Sequence, residues 1–171
     1  MAASGNRKVD MRGLILQVAG IEEKPTSNAN KTIQAGSSKT LVANDSGAIV
    51  ELDTAAGSTV ILPAGSTCQP GTKFRFVVKT LATSNSHIIK VANSSDIMLG
   101  GITTIDTDTS DAAASFATTS TSDTITLNRS TTGSVRTGEW IDVEYVATNR
   151  WMVHGWVCVT GTPATPFSAT V

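Results

Sequence analysis

The run from Glu139 to Gly161 alternates apolar and polar residues along two limbs joined at Thr148-Asn149, and no other segment constrains the chain as tightly. Side chains alternate faces along a strand, so Ile141, Val143 and Tyr145 share one face of the first limb and Asp142 and Glu144 the other. Trp151, Val153 and Val157 share a face of the second limb, and Asn149 tolerates the positive φ a tight turn needs. The pattern predicts a β-hairpin. The rest of the chain reads the same way, as short strands parted by Gly, Ser, Thr and Asn.

At 171 residues the chain suits a single domain, which at that size buries roughly 70% of its unfolded surface. Charged residues are only 16% of the composition, with Ser, Thr, Ala and Gly in their place. Net charge is −1 and the only basic cluster is Arg7-Lys8 with Arg12, so the expectation is no nucleic-acid partner. Leu14 to Ile21 is apolar but far shorter than the roughly 20 residues of a membrane span, so no membrane partner, signal peptide or transmembrane helix is expected.

Along the chain, Met1 to Lys8 reads as a polar terminus and Val9 to Glu23 as strand-like, with Leu14, Leu16 and Val18 on one face and Ile15, Gln17 and Ala19 on the other. A breaker-rich linker from Lys24 to Asn30 follows. Residues 1–35 are assigned to an extended N-terminal arm and linker and residues 36–171 to a β-rich body. Such an arm suits pairing with a neighbouring chain.

Within the body, Lys39 to Asn44, Ala48 to Leu52 and Ser58 to Leu62 read as strands at the spacing of antiparallel sandwiches or barrels. Thr72 to Lys79 is a strand with Phe74, Phe76 and Val78 inward and Arg75 outward, with Ser86 to Ala92 as its expected partner. Ala112 to Phe116 is read as strand rather than helix, and Ser122 to Asn128 resumes a clear alternation. The tail after Thr162 holds Pro163 and Pro166 and is excluded from the middle of a sheet. The fold class is therefore all-β, a single compact antiparallel β-sandwich or barrel with an extended N-terminal arm.

Reactive groups are sparse. His87 and His154 each fall in a strand and in no nucleophile motif. Cys158 shares a strand face with His154, but four residues along a strand span roughly 13 Å, too far for direct proton transfer. With no secretory signal, Cys68 and Cys158 are read as reduced, partly buried thiols. Asp106, Asp108 and Asp111 resemble the start of a calcium loop without its Gly and closing Glu, and are read as a solvated acidic turn. The sequons at Asn30, Asn44, Asn93 and Asn128 are read as turn chemistry. No catalytic residue, metal or cofactor is assigned, and the expectation is that the chain is not an enzyme. Of three tryptophans in one hairpin, parity sets Trp140 with Asp142 and Glu144 and places Trp151 and Trp156 on opposite faces, so a three-ring carbohydrate platform does not follow.

Several strings together resemble a known family. They are Ile49-Val-Glu-Leu-Asp-Thr-Ala-Ala-Gly57, Thr59-Val-Ile-Leu-Pro63, Gly71-Thr-Lys-Phe-Arg-Phe-Val-Val78, Thr83-Ser-Asn-Ser-His-Ile-Ile-Lys-Val-Ala92, Asp123-Thr-Ile-Thr-Leu-Asn128 and the tail from Pro163 to Val171. The segment from Ala48 to the C-terminus is similar to small head decoration (cement) proteins of tailed bacteriophages, including cyanophages. The resemblance implies a non-enzymatic homotrimer, made in the host cytoplasm. It would sit on the outer capsid surface of the virion, bind the major capsid protein and bridge capsomers. Leu14, Leu16, Val18, Trp140, Trp156 and Phe167 are the expected subunit or capsid contacts. The alternative is a tail-fibre or host-recognition (carbohydrate-binding) β-module, which usually carries repeats or a coiled-coil stalk that are not visible here.

Overall fold

The computed structural model describes residues 31–108 and 112–171, and they form two packed β-sheets. In chain order the strands are β1 Thr32–Gln34, β2 Ser38–Thr40, β3 Ile49–Leu52, β4 Thr59–Ile61, β5 Lys73–Val78, β6 His87–Lys90, β7 Ile97–Asp106, β8 Ala114–Ala117, β9 Thr124–Leu127, β10 Trp140–Ala147, β11 Arg150–Val159 and β12 Phe167–Ser168. The larger sheet runs β1-β3-β5-β10-β11-β7-β8 and the smaller β12-β9-β6-β4-β2.

The first six strands alternate between the sheets. β1, β3 and β5 pair in parallel in one, and β2, β4 and β6 in parallel in the other, so residues 32–90 wind as three stacked rungs of a coil. Each connection bonds to its counterpart one rung earlier. Thr59 N donates to Ser37 O at 3.1 Å, Thr83 N to Ala55 O at 2.7 Å and Ile88 N to Ser58 O at 2.8 Å. These bonds carry β6 across to the smaller sheet, beside β4 and β9, so the expected β5–β6 pairing does not occur. Parity could not reveal this, because an inward strand looks alike in either sheet. The all-β sandwich stands, but its sheets are mixed, antiparallel only from β5 to β10, β10 to β11, β7 to β8, β6 to β9 and β9 to β12. β1 also belongs to the larger sheet although it precedes residue 36, so the body begins no later than Thr32.

The closing hairpin forms as its alternation requires. Ile141, Val143 and Tyr145 are buried, and Asn149 takes φ +58° in the turn, where its N–H donates to Tyr145 Oη at 3.1 Å. The strand at residues 114–117 also agrees with the sequence. β7 runs parallel to β11 over ten paired residues and passes Gly100 at φ +128°, where a Cβ would stand 2.0 Å from Val153 O. Only glycine allows that approach.

The core fills the space between the sheets, with Val50, Phe74, Phe76 and Trp151 from the larger sheet facing Val60, Ile89 and Ile125 from the smaller. The proline-bearing tail reaches only the sheet edge as β12. Asp123 holds it there, accepting from Thr170 N at 2.8 Å and Val171 N at 3.1 Å.

Candidate functional site

Outward residues of the larger sheet fall into rows set by strand register. One row runs Glu51, Val77, Trp140, Trp156, Thr103, and the next Ile49, Arg75, Asp142, His154, Gly101. Trp140 and Trp156 are thus direct cross-strand neighbours on the outer face, while Trp151 is fully buried inside. The separation expected from parity holds. A third row sets Lys73, Glu144, Met152 and Leu99 side by side.

Arg75 organises the centre of this face. Its Nε and Nη2 donate to Asp142 Oδ1 and Oδ2 at 2.7 and 2.6 Å, a two-pronged pair, and its guanidinium lies 4.8 Å from the Trp140 ring centre. Those hydrogen bonds push the guanidinium's pKa further up. The His154 ring meets Trp140 edge-on at 5.2 Å. Nearby, Lys79 Nζ donates to Glu51 Oε2 at 2.5 Å. Two shallow grooves border the central residues. One of about 390 Å³ is lined by Ile49, Lys73, Arg75, Asp142 and Glu144, and one of about 380 Å³ by Asp142, Glu144, Met152 and His154.

Because Trp140 and Trp156 lie side by side, with Arg75 and His154 against Trp140, both indoles are half-buried and present less free surface than isolated rings would. Besides Ile49, three apolar groups on the face are more exposed than the indoles: Met152 is 45% exposed, Ile105 44% and Leu99 37%. Sequence reasoning missed these three because an isolated apolar residue on an outward parity position carries no signal until register sets its neighbours. Phe167 is not on this face. It is buried in the core, because β12 pairs with β9 and turns its ring inward beside Ile125. Leu14, Leu16 and Val18 lie outside the described residues.

Other ionisable groups are committed to structure. His87 is wholly buried, its Nδ1 accepting from Ser58 N at 3.0 Å and its Nε2 facing Thr80 O at 2.8 Å, which sets the Nε2–H tautomer. Burial lowers its pKa, against the raising effects of Thr80 O and Asp53. An imidazole fixed between two backbone groups has no room for a substrate proton. Burial likewise pushes the thiols of Cys68 and Cys158 up, keeping them protonated and unreactive, and neither forms a disulfide. Asp108 Oδ2 accepts from Thr160 Oγ1 at 3.0 Å and Gly161 N at 2.7 Å, and Asp111 lies outside the described residues. Asn93 and Asn128 cap turns with their side-chain oxygens, as their turn reading requires. Among the described residues no three His, Cys, Asp or Glu side chains converge on a metal position.

The buried His87 makes stability depend on pH. Its folded pKa lies below the unfolded value of about 6.5, so its contribution is complete above that pH and is lost as pH falls, when the unfolded chain takes up the proton first. The urea midpoint is expected to fall between pH 7 and 5, and His87→Gln, which keeps one acceptor and one donor, is expected to flatten that slope. Equal slopes in both proteins would remove His87 as the cause.

No family model matches the chain, and no curated protein matches it.

Proposed function

We propose that this chain is a structural virion component, a capsid decoration protein that sits on the outer surface of a tailed-phage head. There it contacts the major capsid protein and stabilises the shell by bridging capsomers. The observation that carries the reading is the outer face of the larger sheet. Its central charges are paired, Trp140 and Trp156 are set into the sheet, and Met152, Leu99 and Ile105 stand out from it. Such a face offers contact area, and the resemblance of residues 48–171 points to the same role. Copies repeated by symmetry turn modest contacts into strong retention through avidity.

Counting copies against the major capsid protein in purified particles tests the proposal. Hundreds of copies per particle support decoration, and a handful would move the protein to the tail and favour host recognition. Particles lacking the protein are expected to lose heat and osmotic-shock resistance; unchanged resistance would remove the cement role.

The same face serves self-association, for which a homotrimer is the expected state. Met152→Ser removes exposed apolar surface from a position with no core contact, so its effect on folding is expected to stay within about 0.5 kcal/mol. Its effect on assembly is expected to be at least about fivefold, the factor that corresponds to about 1 kcal/mol for truncating a central contact. Light scattering and urea titration of both proteins separate the two. A wild type that is monomeric at high concentration, or a variant that assembles normally, would exclude this face.

A further inference from the structure

Two adjacent rows on the outer face of the larger sheet set a cation of β5 opposite an anion of β10, and they differ in what those charges do. In one row Arg75 and Asp142 close on each other at 2.6 and 2.7 Å. In the next, Lys73 and Glu144 are direct cross-strand neighbours, yet among the described residues neither lies within ion-pair distance of an opposite charge. Lys79, further along β5, holds Glu51. Lys73 is exposed and Glu144 half-buried, so this carboxylate is partly desolvated with no cation in contact.

Glu144 stands on the divide between the two grooves of the face. The groove of about 390 Å³ holds Lys73 on its β5 side, and the groove of about 380 Å³ is walled by Met152 and His154 of β11. The second groove offers both halves of what a lysine side chain takes: the exposed Met152 thioether for its four-carbon stem and the Glu144 carboxylate for its ammonium. Asp142, which lines the same groove, is already neutralised by Arg75. Lys73 is a cation of the right kind on the other side of the same face, and at a net charge of −1 two copies of the chain meet without strong mutual repulsion.

We infer that Lys73 of one copy inserts between Glu144 and Met152 of the next, so that each subunit gives one lysine and receives one. A contact of this kind is head-to-tail and closes as a ring. The inference rests on the self-association reading above and adds its polarity: the β5 side of one face meets the β10–β11 side of the next.

Charge reversal and mixing test it. Lys73→Glu and Glu144→Lys are each expected to weaken self-association at least about tenfold in light scattering, because like charges then meet across the contact. An equal mixture of the two variants is expected to recover most of that loss, since the two reversed side chains then meet each other and the two native ones do the same. An ion pair confined to one chain gains nothing from mixing, so a mixture that associates no better than its components overturns the inference. Single variants that associate like the wild type also overturn it; where Met152→Ser still weakens assembly, the contact face stands and only the lysine insertion falls. A monomeric wild type removes both. Salt gives a reading on the natural chain, independent of whether a variant folds: association is expected to weaken as ionic strength rises, and an association that salt leaves unchanged overturns the inference.

Discussion

Trp151→Ala is expected to lower the unfolding free energy by about 3–5 kcal/mol, enough to remove a large part of the stability of a domain this size. Trp151 is fully buried on the inner side of β11, with Tyr145 at 5.2 Å and Phe74 at 6.3 Å between ring centres. Those neighbours belong to β10 and β5, strands paired in the sheet, so they cannot collapse into the space an indole leaves without breaking register. Trp151→Phe is expected to cost far less than Trp151→Ala, because the indole Nε1 has no hydrogen-bond partner among the described residues and the phenyl ring deletes only part of the volume. Urea titration of the three proteins reads the differences. A loss below about 1 kcal/mol for the alanine variant would show that the hairpin repacks, contrary to the rigid ladder described above.

Glu139→Ala is expected to cost a similar amount by a different route. The Glu139 carboxylate is buried just before β10, and Oε1 accepts from Val135 N at 2.7 Å and Arg136 N at 2.6 Å while Oε2 accepts from Ser134 N at 2.7 Å. Burial pushes its pKa up, against these N–H groups and that of Cys158, which hold it down. Removing the carboxylate leaves Ser134 N buried without its acceptor and the two neighbouring amides unpaired. At about 1–3 kcal/mol for each buried donor left unsatisfied, the expected loss is about 3–5 kcal/mol once the loop partly rehydrates. Hydrogen exchange gives the sharper readout. Amides of residues 134–136 should lose protection while those of β4 and β6 keep theirs, and unchanged protection at 134–136 would mean the loop is held by other contacts.

The strands themselves were largely legible. Alternation in Lys73–Val78, Thr124–Leu127 and Trp140–Val159 marks inward and outward positions correctly, since one buried face imposes a period of two wherever the strand sits. The hairpin turn was legible because Asn149 is among the few residues that hold positive φ cheaply. Pro163 and Pro166 likewise kept the tail at an edge.

Pairing was not legible, because it is a relation between distant segments. Nothing in Ser86 to Ala92 tells β4 from β5 as its neighbour. That choice rests on backbone bonds from 83 to 55 and from 88 to 58, which stack one connection on the last. The same limit applies to the outer face. The sequence shows Arg75 and Asp142 pointing outward and sets Trp140 and Trp156 apart from the inward rows, but register alone makes Arg75 clamp Asp142, sets the two indoles side by side and leaves Met152 beside Leu99. It also withdraws Phe167 into the core. Local composition thus decided the kind of element and the facing of each side chain, which are properties of a few neighbouring residues. The tertiary structure decided the mixed sheets, the coil and the contact face, because these depend on hydrogen bonds between residues far apart in the chain.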